Sequence, residues 1–76
     1  MEIVIDLHRM TVEEAKFQIL EEIKYANNNI WRIVAIHGYK NGTAIRDMIR
    51  HKLKHPRINK INIDMNPGVT IIELQH

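Results

Sequence analysis

Two short apolar runs set the frame of this chain. Ile3-Val4-Ile5 and Ile33-Val34-Ala35-Ile36 are brief and rich in β-branched residues, so each reads as a strand. Between them Val12, Ala15, Ile19, Leu20, Ile23 and Ala26 recur at helical spacing. A strand, a helix of about four turns and a second strand make a βαβ unit, and such a crossover joins parallel strands. The C-terminal ends of parallel strands open on one edge, where ligands of open α/β sheets bind. The residues just after both runs therefore belong to a single rim.

The remaining elements follow from local signals. Thr11-Val12-Glu13-Glu14 fits a capping box, and Met10 and Ala15 are placed for a hydrophobic staple around it. Asn27-Asn28-Asn29 ends the helix, because Asn tolerates turn geometry. Glu13, Glu14, Glu21 and Glu22 read as a solvated face, and Phe17, at the margin of the stripe, has no evident place. A second helix is expected from about Thr43 to Lys54, with Ile45, Met48, Ile49 and Leu53 inward and Arg46, Arg50 and Lys54 on an exposed flank. His55-Pro56 stops it. Residues 57–65 alternate Lys60/Asn62/Asp64 with Ile61/Ile63/Met65, a half-buried strand. Asn66-Pro67-Gly68 suits a type II turn, with glycine at positive φ. Val69 to Leu74 is the last strand. The expectation is an α/β (α+β) two-layer sandwich, β-α-β-α-β-β, with a mixed four-stranded sheet and residues 1–76 as one domain. Ile3 to Ile5 predicts a strand apolar on both faces, and Ile33 to Ile36 a central strand.

Composition narrows the classes of function. The 76 residues include no cysteine, which excludes a disulfide framework. The N-terminus has no basic region followed by an apolar core, and no run approaches the roughly 20 apolar residues of a membrane helix. The expected setting is soluble and cytoplasmic. The net charge of +2 hides an uneven distribution: residues 31–60 carry eight bases and one acid. Such a segment fits a surface that faces polyanions, or simply a basic solvated helix.

The rim holds the candidate chemistry. His37-Gly38-Tyr39-Lys40-Asn41-Gly42 joins the second strand to the second helix. Glycine lets backbone approach a phosphate closely, and a helix N-terminus offers unpaired N–H groups with partial positive charge. Asp6 and His8 lie two apart at the end of the first strand, so in extended chain they share a face. A carboxylate beside an imidazole orients it and raises its basicity. Either histidine alone reads more readily as structural or solvated; two of them with an aspartate on one rim make proton transfer an equal reading. Tyr39 is placed to stack on a base or to pack against the rim. His51 and His55 read as surface residues. The pattern is neither a Walker motif nor a dinucleotide fingerprint, and zinc-ligand spacing is absent.

Ile5-Asp6-Leu7-His8-Arg9 followed by Thr11-Val12-Glu13-Glu14-Ala15, then His37-Gly38-Tyr39-Lys40 with Gly42 and Arg46, then His55-Pro56, together resemble the Smr (small MutS-related) domain family. The likeness spans Ile5 to Leu74. Its first motif is Leu-Asp-Leu-His-Gly and its second is His-Gly-x-Gly before an arginine-bearing helix. Arg9 and Lys40 stand here where those motifs have glycine, and both add positive charge to the rim. The resemblance implies a fold similar to the C-terminal domain of bacterial translation initiation factor 3. It also implies nucleic-acid binding and, in many members, nicking of DNA or cleavage of RNA. By that likeness Asp6, His8 and His37 are the candidate catalytic residues. Arg9, Gly38, Tyr39, Lys40, Gly42, Arg46 and Arg50 are candidates for contacting nucleic acid. A divalent metal ion such as Mg²⁺, with Asp6 as its ligand, is one route to cleavage, and a metal-free route is the other. Binding without catalysis, or docking to a ribosome, a protein or a larger MutS-like partner, are the rival expectations.

Overall fold

The computed structural model describes residues 1–40 and 42–75; Asn41 of the expected loop lies outside the described residues. The elements are β1 (Glu2–Asp6), α1 (Val12–Tyr25), β2 (Arg32–Ile36), α2 (Ala44–His51), β3 (Ile58–Ile63) and β4 (Val69–Leu74). This is the anticipated order. The sheet runs β1-β2-β4-β3, with β1 and β2 parallel and both other pairings antiparallel. The sheet is therefore mixed, and β2 is central as expected.

One core holds the two layers together. Inward residues of the sheet, including Ile5, Leu7, Ile33, Ala35, Ile72 and Leu74, meet Ala15, Ile19 and Ile23 of α1 and Met48 and Ile49 of α2. Each fully buried Ile or Leu contributes about 1.5–3 kcal/mol relative to the same side chain in water. The capping box at Thr11 is formed: its hydroxyl accepts from Glu14 N at 3.1 Å, and the Glu14 carboxylate accepts from Thr11 N at 2.9 Å. Those two bonds hold the Glu14 carboxyl below its usual pKa. Phe17 is 66% exposed, so it lies outside the stripe.

Four expectations need correction. β1 is an edge strand, not one buried on both faces: Val4 on its outer face is 58% exposed, because a two-layer molecule covers only one side of the sheet. The Asn66-Pro67-Gly68 turn closes with Val69 N donating to Asn66 O at 3.1 Å, but Gly68 does not have positive φ, so the turn is not type II. The alternation in residues 57–65 does not give a half-buried strand end to end. Ile58 and Ile61 pack on the core, yet Ile63 and Met65 are exposed, since β3 is the other edge. A bulge between Ile58 and Lys60 sets the phase, placing Ile58 opposite Leu74 and Ile61 opposite Ile72 on the core side. Finally, Arg46 and Arg50 are half-buried rather than on a fully exposed flank.

Candidate nucleic-acid interface

The parallel pairing of β1 and β2 is level at its end: Asp6 lies opposite Ile36, and Leu7 N donates to Ile36 O at 2.7 Å. His8 and His37 thus leave the sheet as neighbours. A Cβ built on Gly38 would meet the His8 Cβ at 3.5 Å, so the two segments are in contact across the rim. Both histidines line one open cleft of about 840 Å³, together with Arg9, Tyr39, Lys40 and Arg46.

Asp6 and His8 form a bonded pair. The Asp6 carboxylate lies 2.5 Å from His8 Nδ1 and also accepts from His8 N at 3.2 Å. The His8 hydrogen bonds hold the Asp6 carboxyl below its ordinary pKa. With Nδ1–H donated to Asp6, Nε2 is left as the acceptor, and Arg9 Nε donates to it at 3.2 Å. The pair is about half exposed, with His8 at the cleft wall.

His37 is built differently. It is 5% exposed, and both ring nitrogens are engaged. Nδ1 lies 2.7 Å from the Gly38 carbonyl and Nε2 lies 2.8 Å from the Thr70 hydroxyl. A carbonyl only accepts, so Nδ1 carries the proton and the Thr70 hydroxyl donates to Nε2. Burial pushes the His37 pKa down, and the Arg50 and Arg46 charges add to that. This imidazole ties the glycine loop to the start of β4.

The loop is shaped by two glycines and supported by a third. Gly38 has φ +75° and Gly42 has φ +113°, conformations that side chains with a Cβ rarely adopt. Gly68 is needed for space: a Cβ there would come within 3.2 Å of Gly38 Cα. Its carbonyl accepts from both His37 N (2.9 Å) and Gly38 N (3.0 Å). Asn66 also reaches the cleft. The sequence reading missed Asn66 and Gly68 as site residues. The only signal was a turn motif, which says nothing about what the turn packs against.

The cations are less free than their count suggests. Arg46 donates from Nε and a terminal nitrogen to Asp47 at 3.2 and 3.1 Å. The Thr43 hydroxyl, turned to Asp47 at 3.0 Å, leads the bonds that lower the Asp47 pKa, and it makes no cap hydrogen bond to α2. Arg50 lies outside the lining of the cleft, and its Nε is buried with no hydrogen-bond partner among the described residues. Lys40 is exposed at the mouth. Among the described residues no three His, Cys, Asp or Glu side chains gather to hold a metal ion. Asp6 already commits one oxygen to His8, so the donor set is not a preformed cage for Mg²⁺.

A family model for the Smr domain matches residues 5–75. This chain belongs to the Smr domain family. The fold is similar to the crystal structure of the Smr domain of Thermus thermophilus MutS2, with a TM-score of 0.83 at 24% identity over 97% of this chain and 99% of that one. That likeness speaks for the fold alone. No curated protein matches the chain. Smr domains are generally nucleic-acid-binding, with nuclease activity in some members.

Proposed function

We propose that this Smr domain binds nucleic acid across the rim cleft and that the Asp6–His8 pair serves phosphodiester cleavage there. The observation that carries this reading is the Asp6–His8 hydrogen bond at the wall of a cleft lined by Arg9, Lys40 and Arg46. Asp6 fixes the imidazole with Nε2 as the proton acceptor. Nε2 would take the proton of the attacking water or ribose hydroxyl as the new P–O bond forms and the P–O bond to the departing strand breaks, and the departing oxygen would take up a proton from solvent or from the imidazolium so formed. Lys40 and Arg46 would offset the charge that builds on the phosphate oxygens, since the His37 and Gly38 N–H groups of the loop are already given to the Gly68 carbonyl. His37 is assigned to holding the loop, because both its nitrogens are used internally.

Closed-circular, linear and single-stranded DNA, and single-stranded RNA, are incubated with the domain, with and without EDTA. Cleavage is expected to fall by roughly 10²- to 10⁴-fold in His8→Ala, with binding retained. Asp6→Asn is expected to reduce it in the same assay. Failure of the wild type to cut any substrate, or cutting indifferent to both variants, ends the enzymatic claim.

A second reading, binding without cleavage, is favoured by one contact. Arg9 Nε donates to the same His8 nitrogen that would act as base. Arg9→Gly separates the two: a gain in cutting places Arg9 as a block, while a variant that, like the wild type, binds but cuts no substrate leaves binding as the function.

A further inference from the structure

The cleft is not basic throughout. Its rim carries Arg9, Lys40 and Arg46, but its lining also includes Met10, Val12, Ala44 and Ile45 from the starts of the two helices. Met10, Val12 and Ile45 are only partly buried against the core, so apolar surface is left facing the cleft. Tyr39, 49% exposed, stands at the mouth beside the Gly68 backbone. A groove that only tracked a duplex backbone would need cations and N–H donors, and apolar side chains between them would gain nothing. An apolar recess ringed by cations suits a group with a flat apolar face joined to a phosphate.

We propose that the cleft takes an unpaired nucleobase, so that the strand recognised is single-stranded or locally opened. The base enters between Tyr39 and the apolar lining while its phosphates meet Arg9, Lys40 and Arg46. Charge complementarity decides for a nucleotide over an apolar peptide, because among the described residues the cleft lining holds Arg9, Lys40 and Arg46 and no carboxylate, while Asp6 and Asp47 stand outside that lining, bonded to His8 and Arg46. The proposal rests on the reading of the cleft as the nucleic-acid site, and it adds the state of the strand.

The test compares three probes of equal length by fluorescence anisotropy at one salt concentration: a single-stranded oligonucleotide, its duplex, and a single strand with abasic sites that keep every phosphate. The base-bearing strand is expected to bind more tightly than the abasic one by between about fivefold and 100-fold, the worth of one stacked base. Ala44→Trp, at an exposed position, fills the recess and is expected to bring the base-bearing strand down to the abasic level. Tyr39→Leu is expected to narrow the same gap without touching the core. Equal affinity for all three probes overturns the proposal while leaving the nucleic-acid site intact. Failure to bind any probe removes both. Tighter binding of an acidic amphipathic peptide, abolished by Ala44→Trp, overturns it in favour of a protein ligand.

Discussion

Two histidines that look alike in sequence are given opposite tasks by their surroundings. His8 is about half exposed and gripped by the carboxylate at the end of β1; His37 is buried and gripped by a loop carbonyl and a hydroxyl of β4. Strand alternation decides this, since His37 continues the inward series Ile33, Ala35 of β2. The His37 pKa is lowered in the folded chain, chiefly by burial. The unfolded chain takes up a proton near the ordinary value of about 6.5, while the folded chain resists until lower pH. The stability tied to His37 is therefore full above that value and is lost as pH falls from it to the folded pKa. Thermal melts between pH 7.5 and 5 are expected to show Tm declining below about pH 6.5 in the wild type. His37→Gln is expected to start from a lower Tm and to show a flatter profile over the same range. An undiminished slope in that variant would assign the titration to another group. The lowered carboxyls, Asp6, Glu14 and Asp47, act in a separate window, because their protonation begins only below about pH 4.5.

Among the elements, α1 is fixed at both ends by side chains. Its start is closed by the Thr11–Glu14 box. Its end is held by Arg57, one terminal nitrogen of which donates to Ile23 O (3.1 Å) and Ala26 O (2.6 Å) while Nε donates to Gln75 O (3.3 Å). Carbonyls at a helix C-terminus lack intrahelical partners, and a cation there also complements the helix dipole. Arg57 thereby joins α1 to the edge where β3 begins and β4 ends. Arg57→Met is expected to cost about 1–3 kcal/mol. In a domain of this size each kcal/mol lowers Tm by roughly 4–8 °C, which calorimetry resolves. Thr11→Ala, which removes one half of the box, is expected to cost about 1 kcal/mol. If Arg57→Met left Tm unchanged, water would be serving those carbonyls equally well.

At the scale of the molecule, the basic segment of residues 31–60 is divided among several surfaces. Arg32 bridges Glu73 at 3.0 Å and approaches Glu2 on the open face of the sheet. Lys60 lies opposite Glu73 on that same face. Arg57 is spent on α1, and Arg50 stands behind His37, outside the cleft lining. The cleft keeps Lys40 and Arg46 and recruits Arg9 from the other half of the chain. Three cations in contact with phosphates predict a slope of log K against log salt of roughly −2 to −3, far from the value eight would give. Lys40→Ala is expected to reduce the slope by about 0.7–0.9, one phosphate contact. Lys60→Ala is expected to leave it unchanged. A steep slope that both variants reduce alike would mean that the whole basic segment contacts the strand.

The order of elements, the mixed sheet with β2 in its interior, the cap at Thr11 and the meeting of residues 6–9 with residues 37–40 were all legible along the chain. Each of these rests on short-range periodicity or on the rule that parallel strands end together, and both can be read along the chain. Packing set the rest: which histidine is buried, that β1 lies at an edge, that Gly68 gives room rather than a turn angle, and that Arg9 faces His8 while Arg50 does not line the cleft. Those outcomes depend on which surfaces packing brings within a few ångströms of each other. Residues thirty or more positions apart, such as His37 with Thr70 or Gly38 with Gly68, carry no local signal of that approach.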